Sequence, residues 1–255
     1  MNEIKKLELS DFSGPSVDLK KLTEPGTQLH VGLAFLLAAL VFAFTFFFTM
    51  GGILLGLGIG LILDVINRRK TEARLHGNAL HVNSYQFPEL YTMAKVMATR
   101  MGLAQVPTIY IVESNEINAA ATRIGARNII LLNDDAVDAC LRTGNHDALS
   151  FLLAHEMAHH ALGHTGMFRN YLARIYKKVS RLDEFSSDTV AAEIVGQDAA
   201  FDGLCVLLTG PQLLPYISKD AIAAQAKQVN ENKYSPKAER HLTHPLLLRR
   251  VAKFC

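Results

Sequence analysis

His155, Glu156 and His159 share one apolar stretch, Leu153-Ala154-His155-Glu156-Met157-Ala158-His159. On an α-helix, residues four apart lie on one face, so the two imidazoles converge on one point. Paired imidazoles suit a zinc ion, and Glu156 can reach a water bound to it. Zinc lowers the pKa of such a water to about 7, and a carboxylate can then take its proton. The chemistry implied is hydrolysis of a peptide bond. The plainer alternative is a helix that happens to carry two histidines. Its surroundings argue against that. Leu149, Phe151, Leu152, Leu153, Met157 and Ala158 make the segment strongly apolar, and such a helix seldom carries ionisable side chains without partners. Asn145 is placed to cap the helix and Gly163 to end it.

A catalytic zinc needs a third protein ligand and one open position. The segment Leu182-Asp183-Glu184-Phe185-Ser186-Ser187-Asp188 offers Glu184 and Asp188, again four apart and on one helix face. At this point the chain resembles the zinc endopeptidases of the heat-shock protease HtpX and the CAAX prenyl protease, of gluzincin type. Their second motif is Glu-x-x-x-Asp on the helix after H-E-x-x-H. The resemblance implies that one Zn2+ is held by His155, His159 and Glu184. It makes Asp188 a partner of a ligand histidine, fixing that ring's tautomer.

Two further segments carry the likeness. His244-Pro245, with Arg250 six residues after the histidine, resembles the family's C-terminal His-Pro…Arg motif. The resemblance gives His244 the role of stabilising the oxyanion and Arg250 that of ordering the site. Asn118-Ala119-Ala120-Ala121-Thr122 is similar to the Asn-Ala-Phe-Ala segment on the edge strand beside the cleft, where a substrate backbone can pair. Ala120 stands where an aromatic is usual, and Ser187 where alanine is common. The matching segments run from about Gln86 to Val251. HtpX carries a second membrane hairpin between its metal motifs. This chain has only a short charged stretch there, so HtpX's substrates are not carried over.

No charged residue occurs from Val31 to Leu63. A helix of that length would reach about 50 Å, against a hydrocarbon core of about 30 Å. Thr49-Met50-Gly51-Gly52 is a break signal, so a transmembrane hairpin is expected, with spans at about 31–48 and 52–66. Gly52, Gly56, Gly58 and Gly60 offer a small-residue face for packing on the first span. Lys20 and Lys21 precede the spans, Arg68, Arg69, Lys70 and Arg74 follow them, and the turn has no basic residue. Both ends and the catalytic part are therefore expected in the cytoplasm. The membrane is read as a bacterial inner membrane. A cleavable signal peptide fits poorly, because the run starts late and is too long.

Three cysteines, Cys140, Cys205 and Cys255, are scattered and suggest no disulfide framework. A formal net charge of +2 implies no general nucleic-acid partner. The expected partners are a polypeptide substrate and the lipid bilayer.

The elements that must position these residues follow from periodicity. Helices are expected at Phe87–Met101, Asp134–Leu141, Asp147–Leu162 and Met167–Leu182, the last basic and amphipathic, a surface helix or one touching anionic lipid. Strands are expected at Thr108–Val112, Asn118–Thr122 and Asn128–Leu132. Asn230–Arg240 reads as a surface loop, the alternative being a mobile lid over the cleft. His160 and His164 read as structural. The expected organisation is α+β: a tail or small docking element over 1–28, the transmembrane hairpin over 29–66, and over 67–255 a zincin-like metalloprotease domain with a small mixed sheet and a mainly helical remainder. The rival reading is a membrane-tethered binding or scaffold protein that keeps zinc for stability. It would need four protein ligands, and three are visible. A prenyl-protein protease would need an intramembrane chamber that one hairpin does not build.

Overall fold

The computed structural model describes residues 12–49 and 51–255. Residues 1–11 of the expected tail, and Met50 in the expected break, lie outside the described residues. The segment that follows the first eleven residues is docked. Phe12 is buried in the main core, with Val17, Leu19 and Leu22 packed around it. The Arg100 guanidinium donates to the carbonyls of Phe12 and Ile194 at 3.2 and 2.9 Å. One helical turn, α1 (Leu19–Leu22), leads into the apolar run.

That run folds as α2 (Thr27–Phe48) and the first half of α3 (Gly52–Asn78). Among the described residues, α2 alone is long and apolar enough to cross a membrane. The apolar part of α3 is interrupted by Asp64 and then by Arg68, Arg69 and Lys70. The expected packing of the α3 glycines on the first helix is not met. A Cβ on Gly56, Gly58 or Gly60 would meet nothing within 4 Å, and one on Gly52 would meet only Thr49. The helix that uses small residues is α2, and it uses them against the domain. Ala34 is buried with Leu172 and Val179, and Val31, Ala38, Ala173 and Tyr176 surround them.

Next come β1 (Ala79–His81), α4 (Pro88–Arg100), β2 (Thr108–Val112), β3 (Ala119–Ile124) and β4 (Arg127–Asn133). The four strands form one mixed sheet in the order β1-β2-β4-β3. β2 and β4 are parallel, while β1 and β3 run antiparallel to their neighbours. β1 was not expected, since three residues are too few to show alternation. Ile109, Ile111, Ile130 and Leu132 meet Leu90, Met93 and Met97 of α4 in the core, so the α4 methionines are packing residues. β3 lies at the edge, paired on one side only, with Ala119 opposite Leu132 and Ala121 opposite Ile130.

The remainder is helical: α5 (Asp134–Thr143), α6 (His146–Ala161), α7 (Met167–Ile175), α8 (Lys177–Val195), α9 (Gln197–Thr209), α10 (Lys219–Glu231), α11 (Ser235–Ala238) and α12 (Leu247–Val251). Every residue of α6 from Ala148 to Ala158 is buried. Helices α4, α5, α8 and α9 and strands β3 and β4 surround it, as a helix without a polar face requires. His160 ties α6 to the sheet. Its Nε2–H donates to the Ile129 carbonyl at 3.0 Å, and its Nδ1 accepts from the Thr165 hydroxyl at 2.9 Å. Gly203 of α9 lies against Phe151 of α6. A Cβ there would sit 2.3 Å from the Phe151 ring, which is fully buried.

Two further expectations change. The single helix expected over Met167–Leu182 breaks at Tyr176, whose hydroxyl meets His30 Nδ1 of α2 at 3.1 Å. The break turns α7 onto α2 and leaves Glu184 and Asp188 in the interior of α8. The segment Asn230–Arg240 is mostly ordered helix, ending α10, forming α11 and entering a 3-10 turn at Glu239–His241. Arg181 pins it by donating to the Glu239 and Leu242 carbonyls at 2.8 and 3.0 Å.

Gly203→Ala is expected to destabilise the fold by about 1–3 kcal/mol through overpacking on Phe151, measured as a lower denaturation midpoint. An unchanged midpoint would mean that the ring can move aside. Burial pushes the pKa of His160 down to about 4, against the opposing bond to Ile129. The unfolded imidazole takes up its proton near pH 6.5 and the folded one only near 4, so acidification between these values favours the unfolded chain, by up to about 3 kcal/mol. In metal-free protein, the stability advantage of wild type over His160→Gln should shrink across that range. A constant difference would contradict the assignment.

Candidate metal centre

α6 presents His155 and His159 on one face, with their Nε2 atoms 3.2 Å apart. α8 brings Glu184 up to both. Its Oε2 lies 3.5 Å from His155 Nε2, and its Oε1 lies 3.4 Å from His159 Nε2. His155, His159 and Glu184 form a group whose ligand atoms could hold one metal ion. Bonds of about 2.0–2.1 Å in a tetrahedron separate neighbouring donors by about 3.3 Å. Two imidazole nitrogens and a carboxylate at these spacings therefore fit a zinc ion in both chemistry and size. Glu156, the next residue on α6, lines the same cleft.

Behind each imidazole stands a second polar group. Asp188, fully buried, takes the Nδ1–H of His155 at 2.9 Å. That hydrogen bond places the proton on Nδ1 and frees the Nε2 lone pair. Arg250 from α12 donates to Asp188 through Nε and Nη2 at 2.8 and 2.7 Å, and its Nη1 lies 3.0 Å from Glu184 Oε2. Behind His159 stands His164, with Nδ1 to Nδ1 at 3.1 Å, and behind His164 stands Asp183, 3.3 Å from its Nε2. Asp183 is paired with Arg169 of α7. The tautomers run consistently: His159 donates from Nδ1 to His164, which donates from Nε2 to Asp183.

Electrostatics follow from burial and pairing. Burial alone would raise the pKa of Glu184, but the Arg250 charge and bonds from His155, His159 and His244 hold it well below the usual carboxylate range. Asp188 is likewise held low by Arg250 and His155 against the cost of burial. Burial would discharge His155, but its bonds to Asp188 and Glu184 outweigh that and raise its pKa to about 10 in the metal-free protein. A metal must displace that proton. Burial holds the pKa of His164 well below the usual imidazole value, and the nearby Arg169 charge acts in the same direction.

His244 sits on the cleft wall with its Nδ1 3.1 Å from Glu184 Oε2 and its side chain largely exposed. Asn118, Ala119 and Ala120 also line the cleft, so β3 borders it, and its volume is about 580 Å³. All residues singled out from the sequence thus border one cleft or the side chains behind it. His164, Asp183 and Arg169 were not among them. A signal for His164 exists: Gly163 adopts φ 75°, which glycine tolerates, and turns the chain so that the His164 N–H returns to the His159 carbonyl at 2.9 Å. A histidine just past a helix-ending glycine folds back onto the last turn.

Residues 84–168 match the model of peptidase family M48. The match spans β2 to β4 and the H-E-x-x-H helix, and it supports the M48 metallopeptidase family and peptidase chemistry. It ends before Glu184, Asp188, His244 and Arg250. No significant match is found among curated proteins or among solved structures.

His164→Ala removes the group that orients His159. Zinc affinity is expected to fall about 10–100-fold with the fold retained, measured by competition with a chromophoric chelator. Unchanged affinity would mean that packing alone orients the ring.

Proposed function

We propose that this chain is a membrane-anchored, zinc-dependent endopeptidase, similar in its site to the HtpX and CAAX prenyl protease group. The observation that carries the reading is the spacing of His155 Nε2 and His159 Nε2, 3.2 Å apart, with one Glu184 carboxylate oxygen 3.5 Å from the first and the other 3.4 Å from the second, all lining one cleft. A zinc ion kept only for stability would need closure by a fourth protein ligand rather than a cleft.

Zinc held by His155, His159 and Glu184 would supply Lewis acidity, acidifying a water and polarising the scissile carbonyl. Glu156 takes the proton of the attacking water and later passes it to the leaving amine. His244, held at the cleft wall, donates toward the oxyanion that develops on the carbonyl. The free edge of β3 binds the substrate backbone as an added strand, and Ala119 and Ala120 leave room for its side chains. Asp188 and His164 fix the tautomers of the two imidazoles, and Arg250 keeps Glu184 and Asp188 ionised.

α2 and the apolar first half of α3 form the anchor, with residues 67–255 as the catalytic domain. Lys20 and Lys21 on one side and Arg68, Arg69, Lys70 and Arg74 on the other favour a cytoplasmic domain. A bacterial inner membrane is the proposed location. The substrates proposed are misfolded or membrane-associated polypeptides.

Glu156→Gln is the test. It should retain one zinc per chain while cleavage of an unfolded protein falls by about 10²-fold or more. Chelation should abolish wild-type cleavage, and added zinc should restore it. Full activity in Glu156→Gln would end the proposal.

A further inference from the structure

α7 has three faces with three different neighbours. Leu172 is buried against α2. Asn170 and Ala173 line the cleft. The third face bears Met167, Phe168, Tyr171 and Ile175, exposed by 59, 69, 61 and 40%. These four fall within one arc of about 100°, at i, i+1, i+4 and i+8. A soluble surface helix does not concentrate large apolar side chains in this way.

The surroundings of this face identify what covers it. It borders α2, which exposes Leu33, Phe35, Leu36 and Leu37 beside the stripe that packs on the domain. From Met167 to Lys178 there are four basic residues, Arg169, Arg174, Lys177 and Lys178, and no acidic one. Arg169 is committed to Asp183, and Arg174 and Lys178 are exposed. An apolar face flanked by cations fits an anionic lipid surface better than a neutral protein surface. Depth agrees. The packing against α7 and the start of α8 covers Val31 to Ala38, and the uncharged run begins at Val31. At 1.5 Å per residue that is about 10 Å along α2, and an interfacial helix sinks about 5–10 Å into the boundary between headgroups and acyl chains.

We propose that α7 lies in the membrane interface, with Met167, Phe168, Tyr171 and Ile175 in lipid, so that the cleft opens at the bilayer surface. The proposal rests on the reading of α2 as a membrane anchor. The domain is then not suspended below its anchor but partly sunk beside it. The wall of the cleft formed by Asn170 and Ala173 belongs to a lipid-bound helix. Polypeptide segments leaving the bilayer are the substrates best placed to enter.

The test uses the full chain in bilayers of phosphatidylcholine and phosphatidylglycerol. Cys140 and Cys205 are buried, so replacing exposed Cys255 with serine gives a background for single labels. Spin labels are placed through Phe168→Cys, Leu40→Cys and Tyr216→Cys, and their accessibilities to oxygen and to a water-soluble nickel chelate are compared. The expected result is a label at 168 relaxed more by oxygen than by nickel, at a shallower depth than the label at 40, with the label at 216 in water. A label at 168 open to nickel while that at 40 stays in lipid would overturn the inference and leave the anchor intact. A label at 168 shielded from both reagents would overturn it in favour of a second copy or a protein partner. A label at 40 in water would remove the anchor and the inference together.

Discussion

The structure turns on one buried carboxylate. Glu184 lies in the interior of α8, nearly buried at the cleft, and it is stable there because two imidazoles, His244 and the Arg250 guanidinium surround it. An unpaired charge in that position would cost several kcal/mol. The surrounding charges are unbalanced without a cation. In formal terms Glu156, Glu184 and Asp188 carry three negative charges and Arg250 one positive charge, leaving two negative charges that a divalent ion cancels. The metal-free protein compensates in part by holding a proton on His155. A dication held by His155, His159 and Glu184 would exchange that proton for a better match of charge.

This constraint reaches through the fold. Arg250 must arrive from α12, so the last helix has to dock before the site is neutral. Lys253, three residues later, pairs with Glu24, whose backbone N–H donates to Ser186 between Glu184 and Asp188 on α8. The entry to α2 is thus fastened to the helix that carries Glu184, the candidate third ligand. α6 is buried from Ala148 to Ala158, which fixes the helix that carries the two imidazoles, and it relies on Gly203 for the approach of α9. The apolar helix α2, the two helices of the candidate metal centre and the C-terminal helix are parts of one packing problem.

Much of this was legible in the sequence, for physical reasons. The i, i+4 rule set His155 beside His159, and the apolar neighbours of α6 announced its burial. The apolar, β-branched run of β2 and the Ile- and Leu-rich run of β4 marked both as strands. Glu184, His244 and Arg250 are far away in sequence, and only a likeness to known motifs singled them out. Other features depend on tertiary contacts that no local pattern records. The break at Tyr176 falls inside an unbroken helical periodicity and is set by its contact with His30 of α2. The α3 glycines show that a small-residue face need not find a partner, whereas Ala34 and Ala38 did. His164 was missed because its role depends on a backbone turn at Gly163 and not on helical spacing.

The most direct measurement of the central claim is zinc-edge X-ray absorption on purified, metal-loaded protein. Two imidazole nitrogens and oxygen donors from one carboxylate and a solvent molecule are expected, all at about 2.0–2.2 Å. A sulfur shell, or a first shell filled by protein ligands with no exchangeable oxygen, would contradict the assignment of this site as an open hydrolytic centre.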